Sequence, residues 1–243
     1  ADHGEVWLLG GEKTEVFYNS GDLNFPFERI PGAIVEYGIE AVYSVSKCGG
    51  GLFWLAKNKQ GRGMVVRTSG FVPSRVSTHA VEFAIQNYAS TEDARSFSYQ
   101  EEGHEFYVLT FPTAKATWVF DVTTNLWHER GYWEPAVGMT ASRAICHAYA
   151  YGKHLVGDRS GAQIYRQSLD VYSDNGDAIR RLRRSPHVAQ ENQWLFHSSL
   201  VLDMEVGVGL QSGQGSDPKV MMRFSDDGGF TWANPRIISV GRT

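Results

Sequence analysis

A strand–turn–strand–turn–strand unit recurs through the middle of the chain and restricts its fold more than any other feature. Aligned on Gly50, Gly103 and Gly152, each copy carries an apolar pair three residues later: Phe53-Trp54, Phe106-Tyr107 and Leu155-Val156. A second apolar strand follows, centred on Val65, Trp118 and Ile164. It lies fifteen positions past the glycine in the first two copies and twelve in the third, as a shortened turn gives. A further strand precedes each glycine: Ala41-Val42-Tyr43-Ser44-Val45, then residues 94–99, then residues 144–149. Turn chemistry separates the strands at Asn58-Lys59-Gln60-Gly61, Phe111-Pro112-Thr113 and Asp158-Arg159-Ser160-Gly161. One small antiparallel sheet cannot cover both of its faces. Copies spaced by about 50 residues cover each other by radial stacking, which is the spacing of a propeller blade.

The expected fold class is therefore all-β, a β-propeller with antiparallel blades. A length of 243 residues suits one sizeable core, and residues 1–243 are read as a single propeller domain. The chain starts at Ala1 and stops just past a strand-like run, Arg236-Ile237-Ile238-Ser239-Val240. Both ends look cut, so a fragment of a longer chain is expected. Outside the repeat, Val6-Trp7-Leu8-Leu9 and Glu15-Val16-Phe17-Tyr18 form an expected hairpin across Gly10-Gly11. Further strands are expected over Leu195–Val208 and Val220–Phe224. One stretch breaks the pattern. Val81, Ala84, Ile85 and Tyr88 fall at i, i+3, i+4 and i+7 behind Ser77 and Thr78, which predicts a short inter-blade helix over 79–88.

A formal net charge of −4 supplies no overall basic field for nucleic acid. Cys48 and Cys146 form no CxxC pair and read as two unpaired core thiols in a reducing cytosol, with a disulfide as the alternative. No apolar run reaches the ~20 residues that cross a bilayer, so no membrane role is expected.

Ser225-Asp226-Asp227-Gly228-Gly229-Phe230-Thr231-Trp232 matches the Asp-box pattern at Ser225, Asp227, Gly229, Thr231 and Trp232. Its chemistry is local: Asp227 accepts from turn amides, Gly229 permits positive φ, and Trp232 anchors the hairpin. Similar boxes in sialidases lie away from the catalytic centre, so these residues are read as structural. A sialidase-like glycoside hydrolase or a glycan-binding propeller is the alternative. The Arg29-Ile30-Pro31 tripeptide spells that family's early box, but it falls in a loop after the first hairpin. Cys146, His147, His154 and Asp158 match no metal-ligand spacing and no metal or cofactor is expected. The carboxylates of Glu101-Glu102-Gly103-His104-Glu105 read as solvated hairpin acids. No catalytic residue is assigned, and the chain is read as a non-enzyme. Arg180, Arg181, Arg183 and Arg184 form the one basic cluster, a candidate for a subunit interface in preference to phosphate contact.

Several phrases in order resemble one family, the packaged DNA stabilisation or tail hub proteins of short-tailed bacteriophages. They include Val6-Trp7-Leu8-Leu9-Gly10, Phe25-Pro26-Phe27, Leu52-Phe53-Trp54-Leu55 and Ser77-Thr78-His79-Ala80-Val81-Glu82. Further on come Gly103-His104-Glu105-Phe106-Tyr107, Leu126-Trp127-His128-Glu129-Arg130, the arginine cluster, residues 202–209 and the Asp box. The resemblance implies a virion protein of the tail, assembled in the bacterial cytoplasm as a hexameric ring between portal-adaptor subunits and a tail needle. There it closes the portal channel and stabilises packaged DNA; nonspecific DNA contact is the phosphate alternative for the arginine cluster. Members of that family are longer than this chain.

Overall fold

A computed structural model describes residues 4–134, 136–189, 191, 193, 195–207, 211–212 and 215–240. Where the sequence reading has one propeller over 1–243, the chain divides into two compact units, Ala1–Arg180 and Arg181–Thr243.

The first unit is a succession of meander sheets. β1 (Val6–Leu9), β2 (Thr14–Asn19) and β3 (Phe27–Val35) form the first, in the order β1-β2-β3. The second joins β4 (Gly38–Ile39), β5 (Ser46–Cys48), β6 (Gly51–Asn58), β7 (Gly61–Ser69) and β8 (Val72–Arg75) in the order β4-β6-β7-β8, with β5 also on β6. After α1 (His79–Gln86) come β9 (Arg95–Glu101), β10 (His104–Phe111), β11 (Ala116–Asp121) and β12 (Leu126–Glu129), a four-stranded antiparallel sheet. β13 (Gly131–Glu134) pairs with β14 (Gly138–Ala141). β15 (Ala144–Ala150), β16 (Lys153–Asp158) and β17 (Ile164–Gln167) make a three-stranded meander. β18 (Ser173–Asp174) and β19 (Asp177–Ala178) close the unit. The nine strands of the repeat thus appear in eight places, and the exception is Ala41–Val45.

That exception has a local cause. Val42–Ser44 is a 3-10 turn, with Ser44 donating from N and Oγ to the Ala41 carbonyl at 3.1 and 2.7 Å. The Ser44 hydroxyl then accepts from the Leu55 amide at 2.9 Å, and the Ser44 carbonyl accepts from Tyr107 Oη at 2.7 Å. Polar tethers to two strands outweigh the β propensity of Val42 and Tyr43, whose side chains point to solvent. A second difference concerns Arg29-Ile30-Pro31, which lies in β3 and not in a loop. The pairing of β2 with β3 shifts register between Glu15 and Phe17, so residues 30–33 bulge. Gly32 has φ +80° there, and Pro31 needs no ladder donor on a bulged edge strand.

The core follows from strand alternation. On β6, Phe53 and Leu55 point one way and pack with Tyr107, Leu109, Phe120 and the α1 residues Val81 and Ile85. Trp54 and Ala56 point the other way, against Val35, Val66 and the partly buried Trp7 and Leu9. β10 repeats the device: Tyr107, Leu109 and Phe111 face the second sheet, while Val108 joins Phe97, Tyr99 and Val119 toward Ala144 of the next sheet. The expected helix forms, ending at Gln86, with Thr78 as its cap, accepting from the Val81 amide at 3.4 Å. Tyr88 lies beyond it, against Phe111 with its hydroxyl accepting from Trp118 Nε1 at 3.0 Å. Two buried carboxylates add fixed polar joints. Glu82 accepts from Arg75 Nε and Nη2 and from Ser77, and Glu40 accepts from the Gly63 amide at 2.7 Å and from Thr91.

The second unit differs in kind. β20 (Lys219–Met222) and β21 (Arg236–Ser239) form its one sheet among the described residues. The expected strand over Leu195–Val208 is irregular chain from 195 to 207, and Val208 lies outside the described residues. None of the unit's described residues is buried. Neither cysteine is in a disulfide: Cys48 is buried, its thiol pushed up to about 12 by burial and then by the charge of Glu105, and Cys146 is exposed.

Phe53→Ala removes a fully buried ring from the first inter-sheet layer and is expected to cost about 3–5 kcal/mol of stability. Val42→Ala, on the exposed 3-10 turn, is expected to stay within about 0.5 kcal/mol. Guanidinium unfolding of the two variants checks the contrast; equal losses would mean that the layer is not a packed core.

Candidate interaction surface

The Asp box occupies the connection between β20 and β21. Asp227 accepts from the Thr231 amide at 2.8 and 2.9 Å and from Thr231 Oγ1 at 2.6 Å. Ser225 Oγ donates to Asp227 at 2.8 Å and accepts from the Gly229 amide at 2.7 Å. Gly229 sits at φ +98°, a backbone region that a Cβ would strain. Trp232 is half-buried, and its indole N–H donates to the Gly229 carbonyl at 3.0 Å. The hydrogen bonds from Thr231, then from Ser225, hold the Asp227 carboxyl down at about 2. Each bond spans four residues or fewer, so the motif closes on itself.

The arginine run is exposed irregular chain. Within the first unit, Arg180 lies 4.4 Å from the centroid of the Trp133 ring. Within the second, Arg184 lies 5.0 Å from the Trp232 ring, and Arg183 Nη1 approaches the Leu182 carbonyl at 3.5 Å. A guanidinium over an indole face keeps its charge and gains cation–π attraction.

The residues weighed for other chemistry are brought to separate places. Arg29 reaches Glu15 at 3.2 Å on the exposed side of the first sheet, where an enzyme would need it free for a substrate carboxylate. At the β9–β10 turn, Glu105 accepts the Gly49 amide at 2.6 Å, linking two sheets. Asp121 accepts from His104 Nδ1, Thr123 N and Thr124 Oγ1 at 2.8 to 2.9 Å. Burial pushes the Asp121 carboxyl up, but bonds from Thr124, His104 and Thr123 bring it below the ordinary aspartate value. A shallow depression lies here, lined by residues 100–105 and Thr123. Of the histidine set, only His147 and His154 meet, Nε2 to Nδ1 at 3.0 Å; Asp158 is held by Arg143 at 2.7 Å. Among the described residues no group of three or more such side chains is placed to hold a metal.

Sequence reasoning missed the structural use of Glu40, Glu82 and Glu105, because their partners Thr91, Arg75 and Gly49 lie on other elements that only the fold brings against them. It also missed the loop between β2 and β3, where Leu23 is fully exposed and Phe25 is 65% exposed.

Meander sheets stacked face to face, with their acids used as joints, define a β-propeller scaffold protein, and residues 1–172 match the family model described as bacteriophage P22 Gp10, β-propeller. Residues 180–243 match the model described as bacteriophage P22 Gp10, β-sandwich. The chain belongs to the bacteriophage P22 Gp10 family, and it is a structural protein of a phage virion that assembles with other virion proteins. No curated protein matches the chain. The Asp box falls in the sandwich-matched part, so its hairpin is outside the propeller-matched sheets.

Asp227→Ala removes the acceptor for three donor groups of the turn, the Thr231 amide and the Thr231 and Ser225 hydroxyls, and is expected to lower the thermal midpoint; an unchanged midpoint would remove its stapling role. The Asp227 carboxyl is lower in the folded than in the unfolded chain. Its contribution is therefore full above the ordinary aspartate value and is lost as pH falls toward 2. His147 behaves alike for a different reason: burial, then the charge of His154, lowers it from 6.5, against the opposing pull of Glu101. The unfolded chain takes up the proton first, so stability falls as pH drops through about 6.5. Melting curves from pH 7.5 to 5.5 are expected to show the loss in the native chain and a weaker one in His147→Phe.

Proposed function

We propose that this virion protein is a subunit of the tail hub or plug, closing the portal channel after packaging and stabilising the DNA inside. In this reading it forms a hexameric ring, receives portal-adaptor subunits on one side and a tail needle on the other, and is assembled in the bacterial cytoplasm. Its role is mechanical and non-enzymatic. The observation that carries it is the order of the two family matches along almost the whole chain. Support also comes from sheets buried on both faces, which transmit load with little compliance. The paired state of Arg29 and the structural use of Glu105 and Asp121 argue against the glycoside hydrolase alternative. The Asp-box residues serve as a staple, and the Arg180 to Arg184 run serves as a subunit contact in preference to a phosphate contact.

The test is the mass of the full chain in solution, alone and with the portal adaptor, by light scattering. A ring-sized or adaptor-dependent assembly is expected. A persistent monomer that ignores the adaptor would overturn the hub reading. Binding to duplex DNA, measured across salt, separates the two uses of the arginines. Four phosphate contacts would give a log–log slope near −3.6, from about −0.9 per contact, whereas a subunit contact predicts no such DNA binding.

A further inference from the structure

The loop between β2 and β3 holds apolar side chains out in water on a braced frame. Its ends are tied by the Ser20 amide and hydroxyl donating to the Pro26 carbonyl at 2.7 and 3.2 Å. Asp22 Oδ1 accepts from the amides of Asn24 and Phe25 at 2.8 and 3.2 Å, and Asn19 Oδ1 accepts from Gly21, whose φ is +77°. On this frame Leu23 is fully exposed, Phe25 is 65% exposed, and Phe25 and Phe27 meet edge to face at 6.1 Å. A flexible loop would fold such side chains back onto the sheet. A braced loop pays no ordering cost when they dock, which is how apolar anchors act at interfaces.

The charge around the loop selects its occupant. Residues 12–36, which include the loop and its two strands, carry the carboxylates of Glu12, Glu15, Asp22, Glu28 and Glu36 against two basic side chains, Lys13 and Arg29. Lys13 and Arg29 are taken up by Glu36 and Glu15, and among the described residues no cation pairs with Asp22 or Glu28. An acidic rim around an apolar tip fits an apolar surface with a basic rim. The same chain carries one: Arg181, Arg183 and Arg184 flank Leu182, which is 60% exposed, in a unit with no buried described residue. Val188 and Phe196 further along are 64% and 90% exposed.

We infer that the Ser20–Phe27 loop is a docking knob for a second copy of this chain. Leu23 and Phe25 seat on the exposed apolar residues of the partner copy's second unit, and Asp22 and Glu28 meet its Arg181, Arg183 and Arg184. The two surfaces are different, so the contact is heterologous, and repetition in every copy propagates it until a ring closes. The inference rests on the subunit-ring reading and names the surfaces that build the ring.

The test uses three versions of residues 1–243: native, Leu23→Ser with Phe25→Ser, and Arg181→Glu with Arg183→Glu and Arg184→Glu. Masses are measured by sedimentation, and thermal midpoints confirm that the exposed substitutions leave the fold intact. The native chain is expected to form the ring, and each variant alone to be monomeric. Mixing the two variants leaves one intact knob and one intact acceptor per pair, so the mixture is expected to double in mass and stop there. If the knob variant assembles like the native chain, the inference is overturned and the ring reading stands; the knob then serves a different virion protein or none. If both variants are monomeric but their mixture stays so, the head-to-tail pairing is overturned. A native chain that stays monomeric at every concentration, alone and with the adaptor, overturns both.

Discussion

Burial of the second and third sheets on both faces is the constraint on which the rest of this structure depends. A half-exposed strand can place polar residues on alternate positions, but β6 and β10 cannot, because each of their faces meets another sheet. Gly51–Asn58 accordingly holds four successive buried positions from Phe53 to Ala56, and His104–Phe111 holds five from Tyr107. The sheets on either side gain their cores from these two strands. Backbone groups at the sheet ends are then drawn close, and side-chain bonds bridge them: Ser46 to Ser96 at 2.8 Å, Ser98 to the Lys47 carbonyl at 2.7 Å, and Trp127 to the Val76 carbonyl at 2.8 Å. These bonds follow from stacking, and each also fixes the offset between neighbouring sheets.

The same constraint explains why the repeat was legible. A strand apolar on both sides leaves a continuous run that survives changes in turn length, so Phe53-Trp54, Phe106-Tyr107 and Leu155-Val156 mark three sheets without any structure. The helix was legible for a similar reason: its apolar period and the Thr78 cap are both local. Ala41–Val45 was not, because its β-branched and aromatic residues suit a strand while Ser44 is held by the Leu55 amide and by Tyr107, 63 residues away. β3 was not, because Pro31 and Gly32 read as breakers. They occupy a bulge that exists only in the pairing with β2. The buried carboxylates were hidden for the same reason. Glu82 reads as a solvated helix residue until β8 brings Arg75 against it.

In the candidate site the line between legible and hidden falls at the range of the interaction. The Asp box was legible by residue, since Ser225, Asp227, Gly229 and Thr231 bond within four positions of one another. What those bonds hold was hidden, because a self-closed turn carries no information about the surface on which it sits. The arginine run was legible as charge. Its indole contacts, and the acidic apolar loop that suits it, were not, since neither leaves a periodic trace.

Residues 195–207 mark the far end of that range. Their alternation, Leu200, Leu202, Met204 and Val206 against Val201, Asp203 and Glu205, has the period of a strand, yet they are irregular and exposed. A strand needs a partner edge before its side chains have a face to cover. The β20–β21 hairpin does not by itself provide one, with Met221, Ile237 and Ile238 themselves largely exposed. Apolar surface of that extent is what a protein–protein contact covers. The first unit carries its own core, whereas the described residues of the second carry the apolar material for one without closing it among themselves.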